Sequence, residues 1–298
     1  MPAGGARRAG YPRRPPWWPV WRAARRDPGA WVGTAVLVGA GLVAGLAPHL
    51  VPMDPDAQDI VHRLLPPMTV STGHRFWLGT DQLGRDLLSR VIFGSRISLL
   101  VGFSAVALSA AFGTSVGALS GYFGRHWDDL LMRVTDVQLA FPSILLSLAI
   151  VAVLGAGVRN LIAVLAFSGW VGYARVTRSR VLGIRQQEYI EAARALGAAD
   201  RRVIFHHVVP NVLPSVLTIA SFSLGGMITA EAALTFLGLG IPANIPSWGG
   251  MLSDGAQSLS VAWWLATFPG SAIMLTVLAT NLIGDWLRDA LDPRADAG

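Results

Sequence analysis

Six histidines, eighteen acidic residues and no cysteine are the chain's raw material for chemistry. His49, His62, His74, His126, His206 and His207 show no zinc-ligand spacing and form no His-Glu-x-x-His pair. Without a thiol, disulfides and thiolate metal sites are excluded. His206 and His207 are adjacent, so on a helix they point about 100° apart and suit an interface or a surface better than a shared metal. Gly238-Leu-Gly240 lacks the third glycine of a dinucleotide loop, and no Walker A sequence occurs. The apolar stretches carry neither a Ser/His nor a paired-Asp constellation. No catalytic residue, metal ligand or cofactor of its own is expected, so the chain is not expected to be an enzyme.

A different chemistry, surface docking, is written into Gln187-Glu-Tyr189-Ile-Glu191-Ala192-Ala193-Arg194-Ala-Leu196-Gly197-Ala-Ala-Asp200. Tyr189, Ala193 and Leu196 fall at i, i+4 and i+7, one face of a short helix. Ala192 and Ala193 keep that helix thin, so another surface can approach closely. Gly197 stands where a left-handed C-cap belongs. Asp200 is expected to N-cap a second helix starting at Arg201. A short helix, a turn and a helix leading onward are predicted. Glu231-Ala232-Ala233 repeats the triplet in an apolar context, but Leu237 replaces the glycine.

The elements that position this segment are apolar. Of 298 residues, 52% are hydrophobic and 14% charged, whereas a soluble domain carries about 25% charged residues. A stretch of about 20 apolar residues spans a bilayer. Runs over Pro28–Met53, Ile97–Gly124, Val137–Val158, Asn160–Ala174, from Val208 to Glu231, and Gly255–Gly284 give six expected helices, the fourth short at 15 residues. Residues 232–253, rich in proline and glycine, are expected as a loop or re-entrant segment. The fold class is all-α and polytopic.

Every basic residue is arginine, and the net charge is +6. In a chain this apolar the positive charge points to anionic lipid and a cytoplasmic face rather than nucleic acid. With six spans and the N-terminus inside, 18 of the 24 arginines fall on the cytoplasmic side. Both termini are therefore expected inside a multi-pass protein of the cell membrane. Residues 1–29 read as a basic cytoplasmic tail, and residues 30–298 as the transmembrane domain, with a cytoplasmic loop at about 175–210 and an outer loop at about 54–96.

The Glu191–Gly197 segment resembles the EAA loop of bacterial ABC importer permeases: Glu-Ala-Ala, three residues, then glycine. His207 and Val209-Pro210 stand where that pattern has Ile and Leu-Pro. Further segments narrow the likeness. Leu78-Gly-Thr-Asp81-Gln-Leu-Gly84-Arg85-Asp86-Leu-Leu-Ser-Arg90, followed by Gly94-Ser-Arg96-Ile-Ser-Leu, is similar to a signature of the C-type subunit in the dipeptide, oligopeptide and nickel permease family. Gly121-Tyr-Phe-Gly124 with Asp128, Asp129, Arg133, Asp136 and Phe141-Pro142 resembles the same family, as do Leu234–Gly240 with Pro246-Ser-Trp248-Gly249, and Gly284–Arg294.

The resemblance implies a type I ABC importer permease fold. It implies a homologous second permease, two ATPase subunits holding ATP and Mg, an extracytoplasmic substrate-binding protein and membrane lipid as partners. It implies that the helix with Tyr189, Glu191, Ala192, Ala193, Arg194, Leu196 and Gly197 couples ATPase movement to the membrane. Peptides are the implied cargo, with nickel chelates, glutathione or another small solute as alternatives. Asp81, Arg85 and Asp86 are candidates for the binding-protein side, or for internal salt bridges that only fold the outer loop. Phe141, Pro142, Glu231 and Trp248 are pore or gating candidates; Glu231 also suits a structural bond to the Pro246–Gly249 turn. A channel or scaffold independent of ATP, and a membrane enzyme active alone, are the other classes.

Overall fold

The computed structural model describes residues 27–71 and 73–291. Most of the basic tail expected over 1–29, and the Asp292-Pro293-Arg294 end of the C-terminal match, lie outside the described residues. The first helix, α1 (Pro28–Leu50), starts where Asp27 accepts a hydrogen bond from Gly29 N at 2.8 Å and Pro28 occupies N1. It ends just before Pro52. A folded segment over 51–86 follows, with a 3₁₀ turn (Ile60–His62) and a hairpin of β1 (Thr69–Ser71) and β2 (His74–Phe76) pairing Val70 with Arg75. This hairpin is a small departure from the all-α expectation.

The axis of the bundle is α2 (Leu87–Phe123), 37 residues long. At 1.5 Å per residue it spans about 55 Å, more than a hydrocarbon core of about 30 Å. The expected outer loop therefore shortens, because residues 87–96 are helix and not loop. Asp86 sets the start by capping Ser89, and Gly124 ends the helix at φ +64°. Then come α3 (Arg125–Leu139), α4 (Ser143–Leu154) and α5 (Val158–Arg185).

The third expected span is not one helix. α3 and α4 meet at 86°, because Pro142 has no N–H to continue the ladder and disfavours a helical residue before it. The chain then forms α6 (Glu188–Ala195), α7 (Asp200–Val203), a π-helical turn (Ile204–Val208) and α8 (Val209–Phe236). The last helices are α9 (Trp248–Ala256) and α10 (Trp264–Ala290). Glu231, read as the end of the fifth span, lies a turn and a half inside α8.

Among the described residues, four stretches are long and apolar enough to cross a membrane: α1, α2, the run α7–α8 and α10; the bent α3–α4 pair makes up to five. The fourth expected span, α5, has the length at 28 residues, but Arg159, Asn160, Arg175, Arg178 and Arg180 lower its hydropathy. Large side chains such as Trp31, Leu42, Phe112, Leu145 and Val153 point outward, as expected where lipid or a partner replaces water.

α2 and α5 share the most extensive interface. Gly113, Gly117 and Gly121 recur along α2 with a spacing of four, so they line one face. A methyl on Gly121 would come 2.8 Å from Val181 Cβ, and methyls on Gly113 and Gly117 would strike the carbonyls of Trp170 and Ala174. Hydrogen there is what lets the two backbones touch. One core cluster joins α2, α8, α9 and α10 through Leu99, Leu224, Ile228, Trp248 and Trp264. Another, at the opposite end, joins α2, α5, α6 and the π turn through Tyr122, Val181, Ile190, Val203 and Val208.

Candidate functional site

The short helix α6 follows Gln187, whose extended backbone (φ −83°, ψ 141°) breaks it from α5. Glu188 and Glu191 in its first turn and Arg194 in its last suit the helix dipole. Its end is a Schellman motif. Gly197 sits at φ +81°, its N–H donates to Arg194 O at 2.9 Å, and Ala198 N–H donates to Ala193 O at 3.0 Å.

Ile190, fully buried, anchors α6 in the cluster with Val181, Val203 and Val208. The spacing rule had not singled it out. Of the three residues spaced on one face, Ala193 is half-buried, Tyr189 is exposed and Leu196 is 89% exposed. Glu191, Ala192 and Gly197 are also exposed. The Glu191–Gly197 stretch thus presents a carboxylate, a methyl, a large apolar side chain and bare backbone, all held by one buried isoleucine.

Asp200 does not cap the next helix. Ala199 takes the cap position, and the Asp200 carboxylate accepts from the Tyr122 hydroxyl at 2.6 Å. The Arg194 guanidinium lies 4.7 Å above the Tyr122 ring, and Arg185 donates to Tyr122 O at 3.1 Å. Beyond, the π turn closes by Val209 N–H donating to Ile204 O. Pro210 explains it: lacking an N–H, it cannot bond His206 O, and its ring pushes that carbonyl away, widening the turn. Asn211 Nδ2 donates to His207 O at 2.6 Å. Nearby, Arg178 of α5 holds Asp128 of α3 through two bonds, one of 2.6 Å, and Ser120 of α2 donates to the same carboxylate.

At the other end of the bundle, Asp81, Arg85 and Asp86 pair among themselves and their neighbours. Asp81 accepts from Leu83 N and Arg85 N at 2.9 Å and from Arg85 Nε at 2.6 Å. Asp86 accepts from Ser89 N at 2.8 Å and Ser89 Oγ at 2.7 Å. Asp81 and Asp86 are buried, as is Arg90, which reaches Pro55 O at 3.3 Å. Gln82 Nε2 donates to Asp254 O at 2.9 Å and Ser258 Oγ at 2.8 Å, tying the segment to α9.

Trp248 is buried; its N–H donates to Ser98 Oγ at 3.2 Å and its indole to Val91 O at 3.0 Å, fastening α9 to α2. Glu231 is fully buried, with Thr235 Oγ1 donating to it at 3.1 Å. Its direct bond is within α8, not to the Pro246–Gly249 backbone. Phe141 is exposed beside Pro142 in the bend. The four gating candidates therefore lie apart: Phe141 and Pro142 in the bend, Trp248 and Glu231 inside the packed bundle. Among the described residues, no cluster of three His, Asp or Glu has a metal-binding arrangement.

Several apolar membrane-length helices, with a short helix–turn held at one end of the bundle, define a multi-pass membrane protein. Residues 113–297 match the model of the binding-protein-dependent transport system inner membrane component family, and the chain belongs to that family. Residues 15–67 match the N-terminal TM domain of oligopeptide transport permease C. The chain is 43% identical to the dipeptide transport system permease protein DppC of Alkalihalophilus pseudofirmus, over 94% of this chain and 90% of the relative. It is 42% identical to the di/tripeptide transport system permease protein DppC of Pseudomonas aeruginosa, over 92% and 91%. It is 41% identical to the glutathione transport system permease protein GsiD of Escherichia coli, over 94% and 91%.

Proposed function

We propose that this chain is one of two membrane subunits of an ABC importer that carries di- or oligopeptides across the bacterial cytoplasmic membrane. The observation that carries this is the exposed Glu191–Gly197 surface on a buried Ile190 anchor, in a chain of this transport family. Such a surface fits a soluble partner that hydrolyses ATP, since the chain has no nucleotide-binding sequence of its own.

In this reading α6 docks in a cleft of an ATPase subunit, and a homologous permease covers the outward apolar faces of the bundle. The arginine-rich end with α6 faces the cytoplasm, as do both termini, and the 51–86 segment faces a substrate-binding protein outside. Here α5 is the remaining span, giving six in a type I permease fold. Its arginines from 175 onward lie in the cytoplasm, and Arg159 reaches the opposite interface. ATP binding closes the ATPases, moves α6 and opens the pore outward; hydrolysis resets it. Asp81, Arg85 and Asp86 shape the outer segment, and Glu231 and Trp248 brace the helices around the pore.

Glutathione is the second cargo, favoured by the relative named for it. Both share a compact peptide backbone with free charged ends, so a binding protein rather than this chain would choose between them.

The test is affinity purification of the tagged chain from its own membrane, followed by reconstitution in vesicles. Recovery of a second permease and an ATPase, with ATP-dependent uptake of a tripeptide in the presence of the binding protein, is expected. Recovery of the intact chain alone in good yield, or flux without ATP, would overturn the proposal in favour of a self-sufficient channel or scaffold.

A further inference from the structure

The coupling loop continues covalently into α5 and α8, is anchored by the buried Ile190, and is also gripped from the side by α2. Along the chain, α6 reaches α8 through the Gly197 turn, α7 and the π turn. That path contains a left-handed glycine and a π turn, so it is not one continuous helix. The side attachment is Tyr122, near the end of α2. Arg194, before the glycine turn, covers its ring at 4.7 Å. Asp200, after the turn, accepts from its hydroxyl at 2.6 Å. Arg185, preceding α6, binds its carbonyl at 3.1 Å. Tyr122 is 3% exposed, while Asp200 and Arg194 reach it from the surface, and the ionised acceptor makes the bond charge-assisted.

From these contacts we propose that Tyr122 is a positioning residue for transport: it gathers both arms of the α6–turn–α7 unit onto α2, so that displacement of α6 drives α2 directly. This rests on the importer reading above. The mechanical consequence follows from packing. α2 is one uninterrupted helix in close backbone contact with α5, and at its far end Asp86 and Arg90 hold the 51–86 segment. A push at Tyr122 therefore reaches the opposite side of the membrane along one continuous helix.

Two variants dissect the contact with little change of volume. Tyr122→Phe keeps the ring beneath Arg194 and removes only the bond to Asp200; Asp200→Ala removes the acceptor. Hydrogen exchange of the amides from 187 to 203 is measured in the purified full-length chain. Tripeptide uptake per ATP hydrolysed is measured in vesicles holding the complete transporter and binding protein. Exchange is expected to accelerate about fivefold in either variant, the factor that one such hydrogen bond supports, and the double variant is expected to be no worse than the singles. Uptake per ATP is expected to fall by a similar factor, with ATPase recovery in pull-down unchanged.

Unaltered exchange would remove the latch whatever the chain transports. Faster exchange with normal uptake per ATP would leave a contact that carries no stroke and overturn the proposal. Equal loss of hydrolysis and uptake, with poorer ATPase recovery, would overturn it in favour of a docking role. Absence of ATP-dependent uptake in the parent complex would instead refute the importer reading, leaving the exchange measurement to decide whether the latch exists.

Discussion

Replacing Gly197 with alanine isolates one physical term. The residue sits at φ +81°, and a Cβ placed there meets nothing within 4 Å. No steric collision enters, and the cost is the backbone's own: an L-residue held left-handed costs about 1–2 kcal/mol. The two amides that close the motif, Gly197 and Ala198, should therefore open about 5- to 30-fold more often. Gly183, in the last turns of α5, also has open space around its Cβ but ordinary helical backbone. Alanine there should be neutral or stabilise by about 0.5–1 kcal/mol. The assay is hydrogen exchange over peptides spanning 187–203 in the detergent-purified chain, compared across glycine, asparagine, alanine and valine at 197. Asparagine tolerates this conformation and should fall between glycine and alanine, with valine fastest. Equal exchange in all four proteins would refute the claim that the left-handed turn dictates glycine. The same order in uptake, once the transporter is reconstituted, would tie the turn to function.

Asp86→Ala removes the cap from α2 and leaves Ser89 N and Oγ without their acceptor; a loss of about 1–2 kcal/mol should appear as a lower melting temperature in detergent, with Asp86→Asn losing less. Gly117→Val drives a side chain into the Ala174 carbonyl of α5 and should cost about 3 kcal/mol or more, beyond a typical overpacked core, read as loss of a monodisperse peak in size-exclusion chromatography. Arg178→Lys should not substitute for arginine, because a single ammonium cannot reproduce the two-bond grip on Asp128; a double-mutant cycle with Asp128→Asn in thermal unfolding should return a coupling of about 1 kcal/mol for this partly exposed pair. Pro210→Ala restores an amide opposite His206 O and should let the π turn tighten toward α-helix, read as slower exchange over residues 204–210.

The membrane character, the α6–turn unit and its glycine were legible because each depends on local rules: apolar run length, helix spacing and the backbone freedom of one residue type. What was not legible depended on contacts far along the chain. Asp200 carries every mark of an N-cap, yet a tyrosine 78 positions earlier takes its carboxylate. The run from Val137 to Val158 is uncharged throughout and Pro142 marks a kink within it, but the size of the bend, 86°, is set by packing and not by the run itself. The start of α2 was placed ten residues late, because Arg90 and Arg96 look like loop charges, whereas Arg90 is buried against Pro55. Ile190 escaped notice because a single isoleucine among polar residues makes no periodic pattern. It becomes the anchor only when Val181, Val203 and Val208 converge on it.

A force applied to a short surface helix moves other helices only if its attachments are stiffer than its surroundings. At α6 the attachments are the buried Ile190, the Schellman turn and the contacts around Tyr122, and the π turn that Pro210 imposes interrupts the regular helix ahead of α8. The glycine face of α2 then joins that helix to α5 at backbone distance, where little side-chain rearrangement can dissipate motion, and Arg178 with Asp128 adds α3 to the same body. The bend at Pro142 turns α4 away from α3, while Ser147 of α4 still pairs with Ser168 of α5 at 2.8 Å and Leu145 and Val153 face outward. The proposed stroke requires α2, α3 and α5 to move together and α8 to shift against α2 across the Leu99–Ile228 core. Cross-links that fasten α2 to α5 should therefore leave transport intact, and cross-links that fasten α2 to α8 should stop it.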